Sequence, residues 1–141
     1  MAQTLVHIAV VPRLPEQIHF IERRATLEGF DFFAVFGGLM AEEQVSRSKA
    51  GIITLLHAGG DKFAQLLEGS TEEFLAEQVT FPQGMMPPAK CRFEMLMSAK
   101  EHEMHHRGQL MLVERQLGIV PHLTREMQAR MASMQAAKAG A

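Results

Sequence analysis

The chain has 141 residues, 47% of them apolar, and its 14 basic and 16 acidic side chains give a formal net charge of −2. This length fits one domain with a proper hydrophobic core. The near balance of charge offers no clustered basic face for nucleic acid or anionic lipid. Cys91 is the only cysteine, which excludes an intrachain disulfide scaffold. The composition therefore favours a small-molecule or protein partner and excludes nucleic acid and membrane.

The N-terminal segment contains a short apolar run at residues 5–11. The run is too short to cross a bilayer. It has no basic leader or small-residue cleavage site, and Pro12 and Pro15 follow it, so we expect no signal peptide and a cytoplasmic protein. We predict that residues 1–14 form a short extended arm.

Two helices are predicted in the first half of the chain. Apolar residues at three- and four-residue steps favour a helix from Pro15 to about Gly37. A second helix is predicted from a cap at Ser46 or Ser48 to a stop at Gly69. Its glycine pair, Gly59-Gly60, is costly within a helix and predicts a close approach by a neighbouring helix or a ligand.

The second half begins with a long connection over residues 70–88, in which 78–81 are predicted to be extended. A third helix is predicted over about 90–117, and Thr124 can cap a fourth, followed by a tail over 135–141 that frays. The pattern predicts a single all-α domain over 1–141, a four-helix bundle with a long crossover between helices 2 and 3.

The most informative stretch is Glu101-His102-Glu103-Met104-His105-His106-Arg107-Gly108-Gln109. His102 and His106 are four residues apart, so on a helix both imidazoles project from one face about one turn apart. This spacing allows two neutral ring nitrogens to bind one metal ion. His105 competes with His106 as the partner of His102, and four-residue spacing favours His106.

A third ligand has to come from another helix, and His57 in the middle of the second helix is the candidate. From position alone, a core histidine held by a hydrogen bond is the more common interpretation of His57; the pair at 102 and 106 shifts the balance towards a ligand. His7, His19 and His122 show no ligand spacing, and we predict that they are exposed or structural.

A histidine on the second helix followed by His-Glu-x-His-His-Arg-Gly-Gln on the third resembles the DinB-like family of damage-inducible proteins. In this resemblance His57, within Thr54-Leu55-Leu56-His57-Ala58, matches the family's first metal histidine, and His102 and His106 match the second and third. The likeness covers about residues 40–122, including Leu117-Gly118-x-x-Pro121. The first forty residues carry no signature of the family.

The resemblance implies an up-down-down-up bundle, a three-histidine metal site and a homodimer. It also implies kinship with mycothiol- or bacillithiol-dependent S-transferases and maleylpyruvate isomerase. Nitrogen ligands suit zinc or nickel, and also copper or iron. Arg107 is a candidate for binding an acidic cofactor, or alternatively for fixing helix packing. Glu103, Asp61 and Gln109 are candidates for orienting the ligands.

Two functions follow as hypotheses. The first is a metal-dependent thiol transferase acting on a small electrophile, with a low-molecular-weight thiol as cofactor and a metal-bound thiolate or hydroxide as the reactive group. The second is a non-catalytic metal-binding or stress-response protein. An open coordination position beside an accessible pocket would distinguish the enzyme from a structural site.

Overall fold

The computed structural model describes residues 1–139, which are mostly helical. The helices, with the short hairpin that joins the fifth and the sixth, are α1 (Ala2–Val10), α2 (Arg13–Glu16) continued by a π-helical turn (Gln17–Ile21), α3 (Phe32–Gln44), α4 (Lys49–Glu68), α5 (Glu72–Ala76), β1 (Gln78–Thr80), β2 (Ala89–Cys91), α6 (Arg92–Gln116) and α7 (His122–Ala139).

The N-terminal segment is helical, so the prediction of an extended arm over 1–14 was wrong. Val6, Ala9 and Val10 are buried on one face of α1, the three- and four-residue spacing of an amphipathic helix. Helix α1 packs against α3 and α4. The residues Val6 and Val10 form a core cluster with Leu39 of α3 and Ile52 of α4. A run rich in β-branched residues thus forms a helix because tertiary packing outweighs its weak local preference.

The helix predicted from Pro15 to Gly37 is divided in two. The first part ends with the π-helical turn at Ile21, and α3 starts at Phe32. Between them, Arg23 and Gly29 have φ angles of 49° and 67°, which no α-helix contains. Asp31 caps α3, since its carboxylate accepts a hydrogen bond of 2.9 Å from the Ala34 amide. Apolar residues recur at three- and four-residue steps on both sides of this break, so the sequence pattern does not reveal it.

The prediction for the second helix is confirmed. Ser48 is the N-cap of α4 and accepts a hydrogen bond of 3.1 Å from the Gly51 amide, and Gly69 is the C-cap. The connection over 70–88 is less irregular than predicted. It contains α5, which Thr71 caps, and the strand β1, which pairs antiparallel with β2. Val79 of β1 is fully buried and joins Ile18 and Leu27 in a second core cluster.

The third and fourth helices are also confirmed. The structure has α6 from Arg92 to Gln116, with Gly118 at a φ of 73° just beyond it. Helix α7 begins at His122, two residues before the predicted cap, and continues to Ala139. The predicted frayed tail is therefore helical as far as that residue, and 140–141 lie outside the described residues.

The chain divides into two compact units, Met1–Glu103 and a second that begins at Met104 within α6. The all-α class is confirmed, with a two-stranded hairpin in the first unit. The single domain, the four-helix topology and the homodimer remain predictions. Among the described residues, no helix has the length and apolar character that crossing a membrane requires.

The two adjacent glycines of α4 have opposite surroundings, and we expect opposite effects of alanine at each. A Cβ at Gly59 would lie 2.9 Å from the backbone oxygen of Ala9, whereas a Cβ at Gly60 would meet no described atom within 4 Å. Gly59→Ala forces α1 and α4 apart and should lower the free energy of unfolding by about 1–3 kcal/mol. Gly60→Ala should raise it by about 0.5–1 kcal/mol through helix propensity alone. Urea unfolding of the two variants measures both changes in the free energy of unfolding. If the two changes had the same sign, the close approach at Gly59 would be contradicted.

Candidate metal centre

Two histidines from distant parts of the chain meet in the first unit. His7 on α1 and His102 on α6 place their Nε2 atoms 2.8 Å apart, with ring centroids 5.0 Å apart. Both side chains are half-buried. The face of α1 that packs into the core turns His7 towards α6, so the same amphipathic pattern that folds α1 also delivers this imidazole.

The other nitrogen of His7 is held by an acid. Its Nδ1 lies 2.6 Å from Oε1 of Glu43, near the end of α3, and the Glu43 side chain is only 14% exposed. An ionised carboxylate only accepts hydrogen bonds, so Nδ1 of His7 donates and its Nε2 carries the lone pair. A carboxylate behind a histidine in this way fixes the ring and makes its other ring nitrogen a better metal ligand.

The next turn of α6 adds a third imidazole. His106 follows His102 by four residues, and the ligand atoms that these two residues offer lie within 4.8 Å of each other. Nδ1 of His106 donates to Oε1 of Gln109 at 2.8 Å, and Nε2 is the other ring nitrogen that can bind a metal. We refer to His7, His102 and His106 as the histidine group.

The structure also distinguishes His106 from its neighbour His105. His105 is exposed, and its Nε2 accepts a hydrogen bond of 2.9 Å from Nε2 of Gln109. His106 is half-buried, and its Nδ1 contacts Oε1 of Gln109. Gln109 thus contacts both rings, and His106 is the one of the two that belongs to the histidine group.

His57 lies elsewhere. It is exposed on α4 and is not a member of the histidine group. His7 was not predicted to be a ligand, because it shows no ligand spacing along the chain. The signal that identifies it is the spacing of Val6, Ala9 and Val10, which makes the segment a packed helix. The ligand set of His57, His102 and His106 remains a prediction.

The donors suit a divalent transition metal. Two nitrogens bound at about 2.0 Å to a tetrahedral ion lie about 3.3 Å apart, close to the 2.8 Å between the two Nε2 atoms. Nitrogen donors backed by a carboxylate are typical of zinc, nickel, copper and iron sites.

The remaining predicted residues have other surroundings. In the second unit Nη2 of Arg107 on α6 lies 3.0 Å from Nε2 of His122 on α7, a contact that joins the two helices. Asp61 is exposed on α4. Glu103 lines an apolar cavity of about 520 Å³ between α1, α4, α5 and α6, a cavity that His7 and His102 do not line. A cofactor role for Arg107 remains a prediction.

A buried polar pair was not anticipated from the sequence. His19 and Arg92 are 1% and 2% exposed, and Nη1 of Arg92 lies 3.1 Å from Nδ1 of His19. Nε of Arg92 also donates to Glu77 at 2.9 Å, and its guanidinium stacks 4.9 Å above the Phe74 ring. Burial, and next the positive charge of Arg92, lower the pKa of His19 from 6.5 to about 4.

These features define a helical protein with a histidine-rich candidate metal centre backed by a glutamate. The chain belongs to the DinB family, whose sequence model matches residues 1–135. The match includes the first forty residues, which were predicted to carry no signature of the family. Comparisons with curated proteins and with solved structures gave no match.

Proposed function

We propose that the protein binds one divalent metal ion through Nε2 of His7, His102 and His106. The observation that carries this proposal is the 2.8 Å contact between His7 and His102, with Glu43 holding the far nitrogen of His7. The helical spacing of His102 and His106 supports the third ligand. Membership of the DinB family supports a metal-binding role.

We further propose that the site serves a thiol-dependent transfer to a small electrophilic molecule. A metal held by His7, His102 and His106 would supply a Lewis acid that lowers the pKa of a thiol bound to it, so that a thiolate would be available near pH 7. The sulfur would form a bond to an electrophilic carbon, while the leaving group departs with its electron pair and the thiol proton passes to solvent. The carboxylate of Glu43 would hold the Nδ1 proton of His7 throughout.

The first experiment is the metal content per chain, measured by elemental mass spectrometry on the untagged protein. We expect about one zinc or nickel ion per chain in the parent and almost none in His102→Ala. His105→Ala is the matched control, because it removes an exposed imidazole from the same helix and should retain the ion. Metal-free parent protein, even after divalent ions are added and the excess removed, would refute the site.

The transferase activity has a separate readout. The assay mixes a low-molecular-weight thiol with a small alkylating electrophile and follows the loss of free thiol. The rate of loss should be higher with the metal-loaded parent than with His102→Ala. A loaded parent without activity across thiols would instead favour the non-catalytic metal-binding function.

A further inference from the structure

A second cavity lies in the first unit, and it shares no lining residue with the histidine group. Its volume is about 390 Å³, and it lies between the π-helical turn, the bend after it, the end of α4 and the start of α5. The residues that matter among those lining it are His19, Phe20, Arg23, Gln65, Ser70 and Phe74. Its size is within the range of small-molecule sites, roughly 300–1,000 Å³.

His19 contributes a hydrogen-bond donor of fixed orientation. A guanidinium only donates, so the Nδ1 atom that faces Arg92 accepts, and the neutral ring carries its proton on Nε2. Within the described residues, Nε2 of His19 has no hydrogen-bond partner from the protein. Every fully buried side-chain nitrogen or oxygen among these residues does have such a partner, so Nε2 of His19 is not fully buried. The Nε2–H group therefore reaches open space. The ring lines this cavity and also borders a smaller one of about 240 Å³.

Arg23 contributes the charge. Its backbone has a φ of 49°, a conformation that residues other than glycine rarely adopt and that recurs at ligand-binding positions. Its guanidinium stacks 5.3 Å from the centre of the Phe74 ring. In the described part of the chain no carboxylate pairs with Arg23. Nη2 of Arg92 donates to its carbonyl at 3.5 Å, which helps to hold this backbone.

The charges around the cavity favour an anion. The charge of Arg92 is balanced by Glu77, and the carboxylate of Glu22 is occupied by Gln17 and Arg24 at 2.8 and 2.7 Å. Arg23 is left as the uncompensated cation beside the His19 donor. Two aromatic rings, Phe20 and Phe74, lie 5.4 Å apart on the wall, which suits an apolar body joined to the anionic group.

We propose that this cavity binds a small organic carboxylate. The carboxylate pairs with the Arg23 guanidinium and accepts from Nε2–H of His19, while its apolar body contacts Phe20 and Phe74. The site requires neither the metal nor the transferase activity, since it shares no residue with the histidine group.

The test is calorimetric titration of the full chain with benzoate and, separately, with inorganic phosphate. We expect benzoate to bind the parent and to bind Arg23→Gly roughly tenfold or more weakly, because a charge-assisted pair is lost. Glycine suits a φ of 49°, so the melting temperature of Arg23→Gly should be unchanged or higher. In the parent, benzoate should also shift the ¹⁵N resonance of Nε2 of His19.

Arg130→Gln is the matched control, since it removes one exposed arginine from α7 and should bind benzoate as the parent does. His102→Ala should bind it equally, which separates this proposal from the metal site. No benzoate binding by the parent, or equal binding by Arg23→Gly, would overturn the proposal. Phosphate binding as tight as benzoate binding would overturn the assignment to an organic carboxylate.

Discussion

His7→Ala should abolish metal retention, whereas His57→Ala should leave about one ion per chain. In the structure Nε2 of His7 lies 2.8 Å from Nε2 of His102, while His57 is exposed on α4 and outside the histidine group. Loss of one of three nitrogen ligands should weaken binding by more than the roughly 10–100-fold typical of losing an outer-shell partner. Metal content after dialysis, followed by titration with zinc, measures both variants.

Glu43→Gln gives a graded check on the same site. The amide can still accept from Nδ1 of His7, but it carries no charge, so zinc affinity should fall by roughly 10–100-fold without complete loss of the ion. Helical content by circular dichroism should match the parent in all three variants. If His57→Ala loses the ion and His7→Ala retains it, the ligand set predicted from the sequence is right and the one proposed from the geometry is wrong.

The stability of the protein should fall between pH 7 and pH 4.5, and His19 should account for about 2 kcal/mol of the fall. The pKa of His19 is about 4 in the folded protein and 6.5 in an unfolded chain. Below pH 6.5 the unfolded chain therefore binds a proton that the folded protein does not, and acid favours unfolding. The stabilisation is fully present above pH 6.5 and is lost as the pH falls towards 4. The causes are the burial of the His19 ring, which is the larger effect, and the positive charge of Arg92 beside it.

Urea unfolding at several pH values, with chelator present, tests this dependence. His19→Gln keeps an acceptor for Nη1 of Arg92 but does not titrate, so its stability should vary less with pH than that of the parent. His57→Gln, which removes an exposed histidine, should follow the parent. A parent and a His19→Gln protein with the same pH dependence would show that His19 is protonated with a normal pKa.

The helices that the sequence predicted well are those with explicit end signals. Ser48 and Gly69 bound α4, and Gly118 ends the α6 region, because caps and left-handed glycines act on the adjacent backbone alone. The first forty residues were predicted poorly for the opposite reason. The break in the predicted first helix, at Arg23 and Gly29, contains no proline that would signal it. Helix α1 forms because Val6 and Val10 are buried against α3 and α4, which the local sequence does not show.

The amino-acid sequence by itself determined the helical class, the positions of α4, α6 and α7, and the four-residue spacing of His102 and His106 on one helix, all of which depend on residues within a few positions of each other. It also indicated the close approach at Gly59. Only the tertiary structure decided that His7, backed by Glu43, meets His102, and that His19 and Arg92 share a buried site. Those contacts join residues 36, 95 and 73 positions apart, and packing between helices brings them together without leaving a periodic signal in the chain.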